Sequence, residues 1–518
     1  MTIPALLADA ADRFGERTAV VDGDVSLTYA ELREASLQLG AALVGRGVGP
    51  GDRVAVWAPN GHRWIVALFG LSAAGAALVP VNTRFKGAEA ADILKRSRAR
   101  ALVTVTDFLD TDHLGLLRST GVELPDLGTV VVASGDVPDD AVGWEAFVAS
   151  ATPDARAEVE RRAAAVTDDD VSDVLFTSGT TGAPKGVLQS HGRTLCTAAD
   201  WVSMTGLGPD DRYLMVNPYF HMFGLKAGIL ASVTAGATML PEPVFDVDRV
   251  LARVEQERVS VLPGPPTLYQ SILDHPGRAE ADLSSLRIAV TGAADIPVEL
   301  IRRVLDELPF DAVIAGYGLT EAGTATSTSP DDDPRTIATT VGRPRPGFEV
   351  RIVDGEDDVE PGGTGEVLLR GPSVMAGYLD DPEATAAALS PDGWLRTGDL
   401  GALDDAGNLL IVGRAKDLVI VGGFNAYPAE IENLLLGHPA VQQAAVIGIP
   451  DDRLGEVGMA FVVLQPGAAH PSEAELVAWA RDTMANFKVP RRFEVVADLP
   501  VNATGKVVKD ELRRRVGS

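Results

Sequence analysis

Short apolar, β-branched runs recur along this chain, each separated from the next by a longer Ala/Leu-rich stretch of helical period. Arg53-Val-Ala-Val-Trp57, Ala101-Leu-Val-Thr-Val105, Val130-Val-Val-Ala133, Ser260-Val-Leu262 and Ile288-Ala-Val-Thr291 are such runs. Strands alternating with helices at this spacing predict α/β layers. No segment repeats at a fixed period, which argues against a solenoid. With 518 residues the chain is too long for one ordinary core and predicts two or more lobes.

The texture changes from Pro361 onward. Gly365–Arg370 and Leu409–Val412 read as strands joined by Gly/Asp turns, an antiparallel β region. A short charged break follows, Gly413-Arg-Ala-Lys-Asp417. A compact mixed pattern then resumes: strands at Leu418–Val421, Ala444–Ile449 and Gly458–Leu464, helices at Pro428–Leu436 and Glu473–Met484. The boundary is placed near Lys416. Residues 1–415 form a large N-terminal domain of several subdomains with layered sheets and a small β region. Residues 416–518 form a small α+β domain.

Charge and cysteine content narrow the function classes. A net charge of -28 argues against a nucleic-acid binder and disfavours docking on anionic lipid. Anionic ligands would need a positive field built locally from a few side chains, backbone N–H groups and a metal ion. The single cysteine, Cys196, excludes an intrachain disulfide, suits a reducing cytoplasm, and reads as a small buried or semi-exposed filler. Asp9, Asp12 and Arg13 interrupt any signal-peptide core. The uncharged stretch Trp64–Val81 reads as a helix over Trp64–Ala74, a break at Gly75 and a strand over Ala77–Val81, not as a membrane span.

The chemistry concentrates in Thr177-Ser-Gly-Thr-Thr-Gly-Ala-Pro-Lys-Gly186, which follows the apolar strand Val174-Leu-Phe176. Its glycines let the backbone approach a ligand closely. Ser178, Thr180, Thr181 and the exposed N–H groups can donate to phosphate oxygens, and Lys185 adds a positive charge. The spacing is not that of a Walker A loop. Taken alone, the segment also fits a Ser/Gly surface loop.

Further motifs follow in order: Gly316-Tyr-Gly-Leu-Thr-Glu321, Gly342-Arg-Pro-Arg-Pro-Gly347, Gly393-Trp-Leu-Arg-Thr-Gly-Asp399, Gly413-Arg-Ala-Lys-Asp417 and Pro500-Val-Asn-Ala-Thr-Gly-Lys506. With the loop they resemble, over nearly the whole chain, the adenylate-forming enzymes. These are acyl- and aryl-CoA synthetases, nonribosomal adenylation domains and firefly-type luciferases. The resemblance implies a carboxylic acid–CoA ligase that uses ATP, Mg²⁺ and coenzyme A, forming acyl-AMP and then the thioester.

It also implies roles for individual residues. Thr177, Ser178, Gly179, Thr180, Thr181 and Lys185 cradle phosphates. Glu321 holds Mg²⁺ and Thr320 contacts the α-phosphate or metal, although both would equally suit the capped N-terminus of a helix. Asp399 binds the ribose hydroxyls. Gly316 and Tyr317 lie against adenine, with Ala293 and Ala294 at its edge. Arg414 faces the nucleotide. Lys506 bridges the substrate carboxylate and the α-phosphate. Lys416 is the hinge on which the small, mobile domain turns between half-reactions. Gly422, Gly423 and Phe424 then line a pantetheine tunnel, for which a plain hairpin turn is the alternative.

The acid channel resembles Asn217-Pro-Tyr-Phe-His-Met-Phe-Gly224, with Phe220, Met222 and Leu225 as an apolar wall and His221 as a gate or acid-side wall. Lys226 either meets a polar group of the substrate or snorkels to solvent. A narrower resemblance, carried by Phe220–Leu230, Val261–Pro276 and Gly422–Pro428, is to actinobacterial ligases of steroid catabolism that act on a propanoate borne by two remaining rings. Medium-chain fatty acids are the alternative substrate class. Carrier-protein loading, a non-catalytic relative and a light-emitting oxidation are the alternative functions. No nucleic-acid partner and no stable membrane insertion are expected, and oligomeric state is left open.

Overall fold

The computed structural model describes the chain from Met1 to Val516 except residues 178–183, 293–295, 415–416, 422–423, 452 and 503–505; residues 517–518 are also outside it, and Phe424 and Asn425 are described by backbone alone. Among the described residues, an eight-stranded and a nine-stranded sheet carry the large N-terminal part. Arg53–Trp57 lies inside the first, parallel to Ala77–Pro80 and Ala101–Val105, with Val54 opposite Leu78 and Ala55 opposite Leu102. Helix His62–Ala73 connects two of these strands, so the uncharged stretch at Trp64 folds as a buried helix and strand. No described helix is long and apolar enough to cross a membrane.

One apolar core joins the two sheets. Leu78 and Val103 from the first meet Tyr213, Met239, Ile288 and Ile314 from the second. The second sheet runs Val261–Pro263, Ile288–Gly292 and Ala312–Leu319 in parallel, then turns back through antiparallel Gly323–Ser327. The small β region is a five-stranded antiparallel sheet that begins at Glu349, earlier than the change of texture at Pro361 suggests.

The C-terminal part has a core of its own. Val441–Asp451 and Gly455–Leu464 form a long antiparallel ladder, with Val446 opposite Ala460. Leu435, Leu476 and Leu512 from three helices pack on it, and the buried members of this cluster all come from Val419–Leu512. Helix Glu473–Thr483 starts with a reciprocal cap, Ser472 and Glu475 each satisfying the other's backbone N–H.

Candidate active site

The strand Val171–Thr177 enters the phosphate loop and Lys185–Ser190 leaves it. They pair antiparallel, with Thr177 opposite Lys185 and Phe176 opposite Gly186. The loop therefore caps a β-hairpin, and Thr177 and Lys185 mark its two ends. Ser178, Gly179, Thr180 and Thr181 lie outside the described residues.

Thr320 and Glu321 sit at the tip of the hairpin joining Ala312–Leu319 to Gly323–Ser327. This corrects the helix N-terminus that the sequence allowed. The chain returns as a strand because Gly323 takes φ +72, and a Cβ there would stand 2.3 Å from Thr197 Oγ1. The tip is tied at three points. Met375 N donates to Glu321 O (2.7 Å), Gln189 Nε2 donates to Thr320 O (3.3 Å), and the Tyr378 hydroxyl donates to Glu321 Oε1 (3.1 Å). Lys185 Nζ lies 4.9 Å from the Tyr378 ring centroid, so one aromatic ring separates the loop lysine from the tip carboxylate.

Burial raises the Glu321 pKa; the Tyr378 hydrogen bond and Arg414 pull it back. No cluster of three or more His, Cys, Asp or Glu that would by itself cage a metal occurs among the described residues. A single half-buried carboxylate one aromatic ring from Lys185 fits Mg²⁺, which takes few protein oxygens and the rest from phosphates and water.

A second group of charges forms where Leu395–Leu403 pairs with Leu409–Arg414, Asp399 opposite Arg414. The Asp399 carboxylate is nearly buried. Tyr317 OH donates to its Oδ2 at 2.6 Å and Arg414 Nε sits 3.1 Å from its Oδ1. A carboxylate has about four lone-pair sites, so each oxygen keeps one for a ligand hydroxyl. Burial, and then Asp399, raise the Tyr317 pKa, keeping the phenol a donor. The register of Gly292 opposite Gly316 brings the second sheet's strand ends beside Tyr317, whereas Ala293 and Ala294 lie outside the described residues.

Lys506, from the C-terminal part, lies near this group. Val501 and Val507 bridge antiparallel, Asn502 N donates to Lys506 O (2.8 Å), and Lys506 N donates to Asn502 Oδ1 (2.9 Å). The residue is exposed at the surface. Its pKa is lowered, by desolvation first and Arg414 next, with Asp399 and Asp417 opposing. Lys416, Gly422 and Gly423 lie outside the described residues, as does the Phe424 side chain; the strands flanking the two glycines pair Val421 with Phe424.

On the acid side, Phe220 is half-buried, and Met222 and Leu225 are buried. His221 Nδ1 accepts from Phe223 N (3.2 Å), and burial pushes the imidazole down to about 4. The ring is neutral at physiological pH, with its proton on Nε2, and so presents a donor. Phe223–Leu230 is a π-helix, a form the sequence did not announce. Gly224 lets it start here, because a Cβ would lie 2.2 Å from Pro218 O.

Lys226 is corrected. It does not snorkel to solvent: it is 1% exposed, with Nζ 3.3 Å from Asp173 Oδ1. That burial leaves it no route to solvent. Cys196 is corrected too: it is exposed, and its pKa is raised, so it is a poor thiolate.

Three functional neighbours escaped sequence reasoning. Tyr378 and Gln189 hold the hairpin tip. Buried Asn60 holds the approach to His221, donating from Nδ2 to Met215 O (2.9 Å) and Asn217 O (3.0 Å) and accepting Tyr219 N at Oδ1 (2.8 Å). The one available signal for Tyr378 was an aromatic residue beside a glycine.

Comparison with known proteins agrees with this geometry. The sequence profile described as AMP-binding enzyme matches residues 7–379, and that of the AMP-binding enzyme C-terminal domain matches residues 430–506. A (7a-methyl-1,5-dioxo-octahydro-1H-inden-4-yl)propanoyl:CoA ligase of Rhodococcus jostii is 51% identical over 515 residues, covering 99% of this chain and 98% of its own. The ligase of the same name from Mycobacterium tuberculosis is 51% identical over 514 residues, with 99% and 98% covered. Among solved structures, the anthranilate CoA ligase AuaEII in complex with anthranoyl-AMP superposes with TM-score 0.90 at 30% identity, covering 100% of this chain and 97% of that one. ATP-bound MatB from Rhodopseudomonas palustris gives TM-score 0.87 at 30% identity, with 99% of each chain covered. The chain belongs to the AMP-binding enzyme family.

Proposed function

We propose that this enzyme is an ATP-dependent carboxylic acid–CoA ligase whose acid is a propanoate on a bicyclic diketone. One observation carries the reaction. Lys506, from the C-terminal part, lies near enough to Arg414 and Asp399 for its charge to feel both, and Asp399 is itself held by Tyr317 and Arg414. Catalysis of attack by a carboxylate on the α-phosphorus of ATP, with pyrophosphate leaving, is chiefly alignment and neutralisation of negative charge.

Lys185 and the hydroxyls of Thr177, Ser178, Thr180 and Thr181 hold the phosphates, with Gly179 giving them room. Glu321 holds Mg²⁺ and Thr320 hydrogen-bonds the α-phosphate. When bound, the metal withdraws charge from the phosphate oxygens as pyrophosphate departs. Asp399 takes the ribose hydroxyls, with Tyr317 and Arg414 fixing its rotamer. Gly316, Ala293 and Ala294 border the adenine. The Lys506 ammonium screens the attacking carboxylate from the α-phosphate. The small domain, residues 416–518, then turns about Lys416, withdrawing Lys506 and bringing Gly422, Gly423 and Phe424 against pantetheine. CoA thiolate attack on the acyl-adenylate releases AMP. A single cysteine suits work in the cytoplasm.

The acid is proposed from two supports: relatives 51% identical over almost the full chain, and a wall of Phe220, Met222 and Leu225 broken by one neutral N–H donor, His221. Such a wall suits an alicyclic body carrying a ketone acceptor. The test is AMP release, with CoA present, across acetate, octanoate, palmitate, benzoate and the bicyclic diketo propanoate, read together with the mass of the thioester. The bicyclic acid is expected to lead in kcat/KM. Preference for octanoate would move the substrate to fatty acids, and adenylate without thioester would move the acceptor to a carrier protein.

A further inference from the structure

The most deeply buried charges near the site belong to a pair that the reaction above does not use. Lys226 lies in the π-helix Phe223–Leu230 that follows His221, and Asp173 lies in the strand Val171–Thr177 that ends at the phosphate loop. Both side chains are 1% exposed, and Nζ stands 3.3 Å from Oδ1. The other carboxylate oxygen, Oδ2, accepts from Ser172 Oγ (2.6 Å) and from Thr194 Oγ1 (2.7 Å). No described group makes a well-aligned hydrogen bond to Oδ1. The Lys226 contact is therefore a charge contact, the one polar link between these two elements among the described residues. On the strand's far side Asp173 faces Gln189 in the ladder, and Gln189 carries the Thr320 carbonyl.

Stability does not explain such a pair. Desolvating two ions costs several kcal/mol, and apolar replacements of similar volume are often neutral or better. What the pair does provide is a fixed distance between the helix behind His221 and the strand four residues before Thr177. A π-helix has an extra residue per turn and a less regular hydrogen-bond ladder, so its placement depends more on such side-chain anchors.

We propose that the Lys226–Asp173 pair is a positioning strut, holding the acid-channel helix against the root of the phosphate loop so that bound acid and bound nucleotide meet in one register. The proposal rests on the ligase reading above. Misalignment by about 1 Å at the reacting atoms is enough to cost about 100-fold in rate.

The test uses the full-length enzyme with the charge-free pair Lys226→Met and Asp173→Asn. Methionine keeps the stem, and asparagine keeps an acceptor for Ser172 and Thr194. Three quantities are compared with wild type: Tm, affinity for AMP, and affinity for an acyl-sulfamoyl-adenosine built on the bicyclic acid, which must fill both subsites at once. The strut predicts a Tm no lower than wild type and AMP affinity within about twofold, but analogue affinity weakened by at least about tenfold. An unchanged analogue affinity, a loss shared equally with AMP, or a collapse of Tm would each overturn it in favour of a bystander or a purely structural pair. Failure of the ligase reading is seen separately, in wild type: the analogue then binds no more tightly than AMP. With no two-site register left to hold, that result overturns the strut as well.

Discussion

Lys506 and Asp399 divide the site between an exposed cation and a buried anion, and each has a measurable signature. In the proposed mechanism the Lys506 ammonium acts in its protonated form, and desolvation and Arg414 lower its pKa. Its charge is present below that pKa and is lost as pH rises through it. The adenylation rate is therefore expected to fall on an alkaline limb that starts below the ordinary lysine range. Thioester formation from supplied acyl-adenylate, which does not need Lys506, lacks that limb; a shared limb would remove Lys506 as its cause. Tyr317 sets the rotamer of Asp399 through one hydrogen bond. Tyr317→Phe is expected to raise KM for ATP about 2- to 10-fold, the worth of one such bond, with KM for the acid unchanged. His191 gives a stability signature. Burial pushes its pKa down from 6.5 to about 4. The unfolded chain takes up this proton near pH 6.5 while the folded chain resists it until about pH 4, so stability is full above the upper value and is lost as pH falls through that window. Between pH 7 and pH 5 the loss from this residue is about 2 kcal/mol. Urea unfolding of His191→Gln at both pH values should show a smaller acid loss than wild type.

At the scale of elements, the hairpin tip is the part the chemistry depends on most and the sequence encodes least. Gly323→Ala combines a positive φ with a Cβ 2.3 Å from Thr197 Oγ1. It is expected to displace Glu321 and lower adenylation by about 100-fold while far-UV circular dichroism stays native. Normal adenylation in this variant would mean the tip tolerates movement. Regular elements were legible because their signals are local. Arg53–Trp57 and Ala101–Val105 are strands with the bounds their β-branched runs predict, and Trp64 begins a buried apolar turn of helix. The turn bearing Thr320 and Glu321 looked like a helix start because a hydroxyl followed by a glutamate is the same signal in either setting. What chose the hairpin was the conformation at Gly323 and the strand space beside Ala312–Leu319. Tyr378 and Gln189 were not legible at all, since their partners lie 57 and 131 residues away and no spacing records that. Lys226 was misread for the same reason: Asp173 is distant in sequence, and an isolated lysine after an aromatic run carries no mark of a buried counter-ion.

The whole molecule places one cation on a separate body. The C-terminal core is closed within Val419–Leu512, so this part has the means to move as a unit. Lys506 in this part lies near Asp399 and Arg414, the placement that the proposed first half-reaction needs. With a net charge of -28, the enzyme must gather a positive field for two anionic substrates locally, and the proposed mechanism draws it from Lys185, Arg414 and Lys506. The division into a large α/β part and a small α+β part was legible from the charged break Gly413-Arg-Ala-Lys-Asp417 and the compact mixed pattern after it. The meeting of Lys506 with Asp399, 107 positions apart by their numbers, came from motif order and not from any local pattern. That meeting is the central claim, and the two half-reactions of Lys506→Ala, measured separately, test it most directly. Pyrophosphate release from ATP and acid should fall by at least about 100-fold, while thioester formation from supplied acyl-adenylate and CoA stays within about threefold of wild type. Equal loss in both half-reactions would contradict the role given to Lys506 and, with it, the use of the small domain in two successive positions.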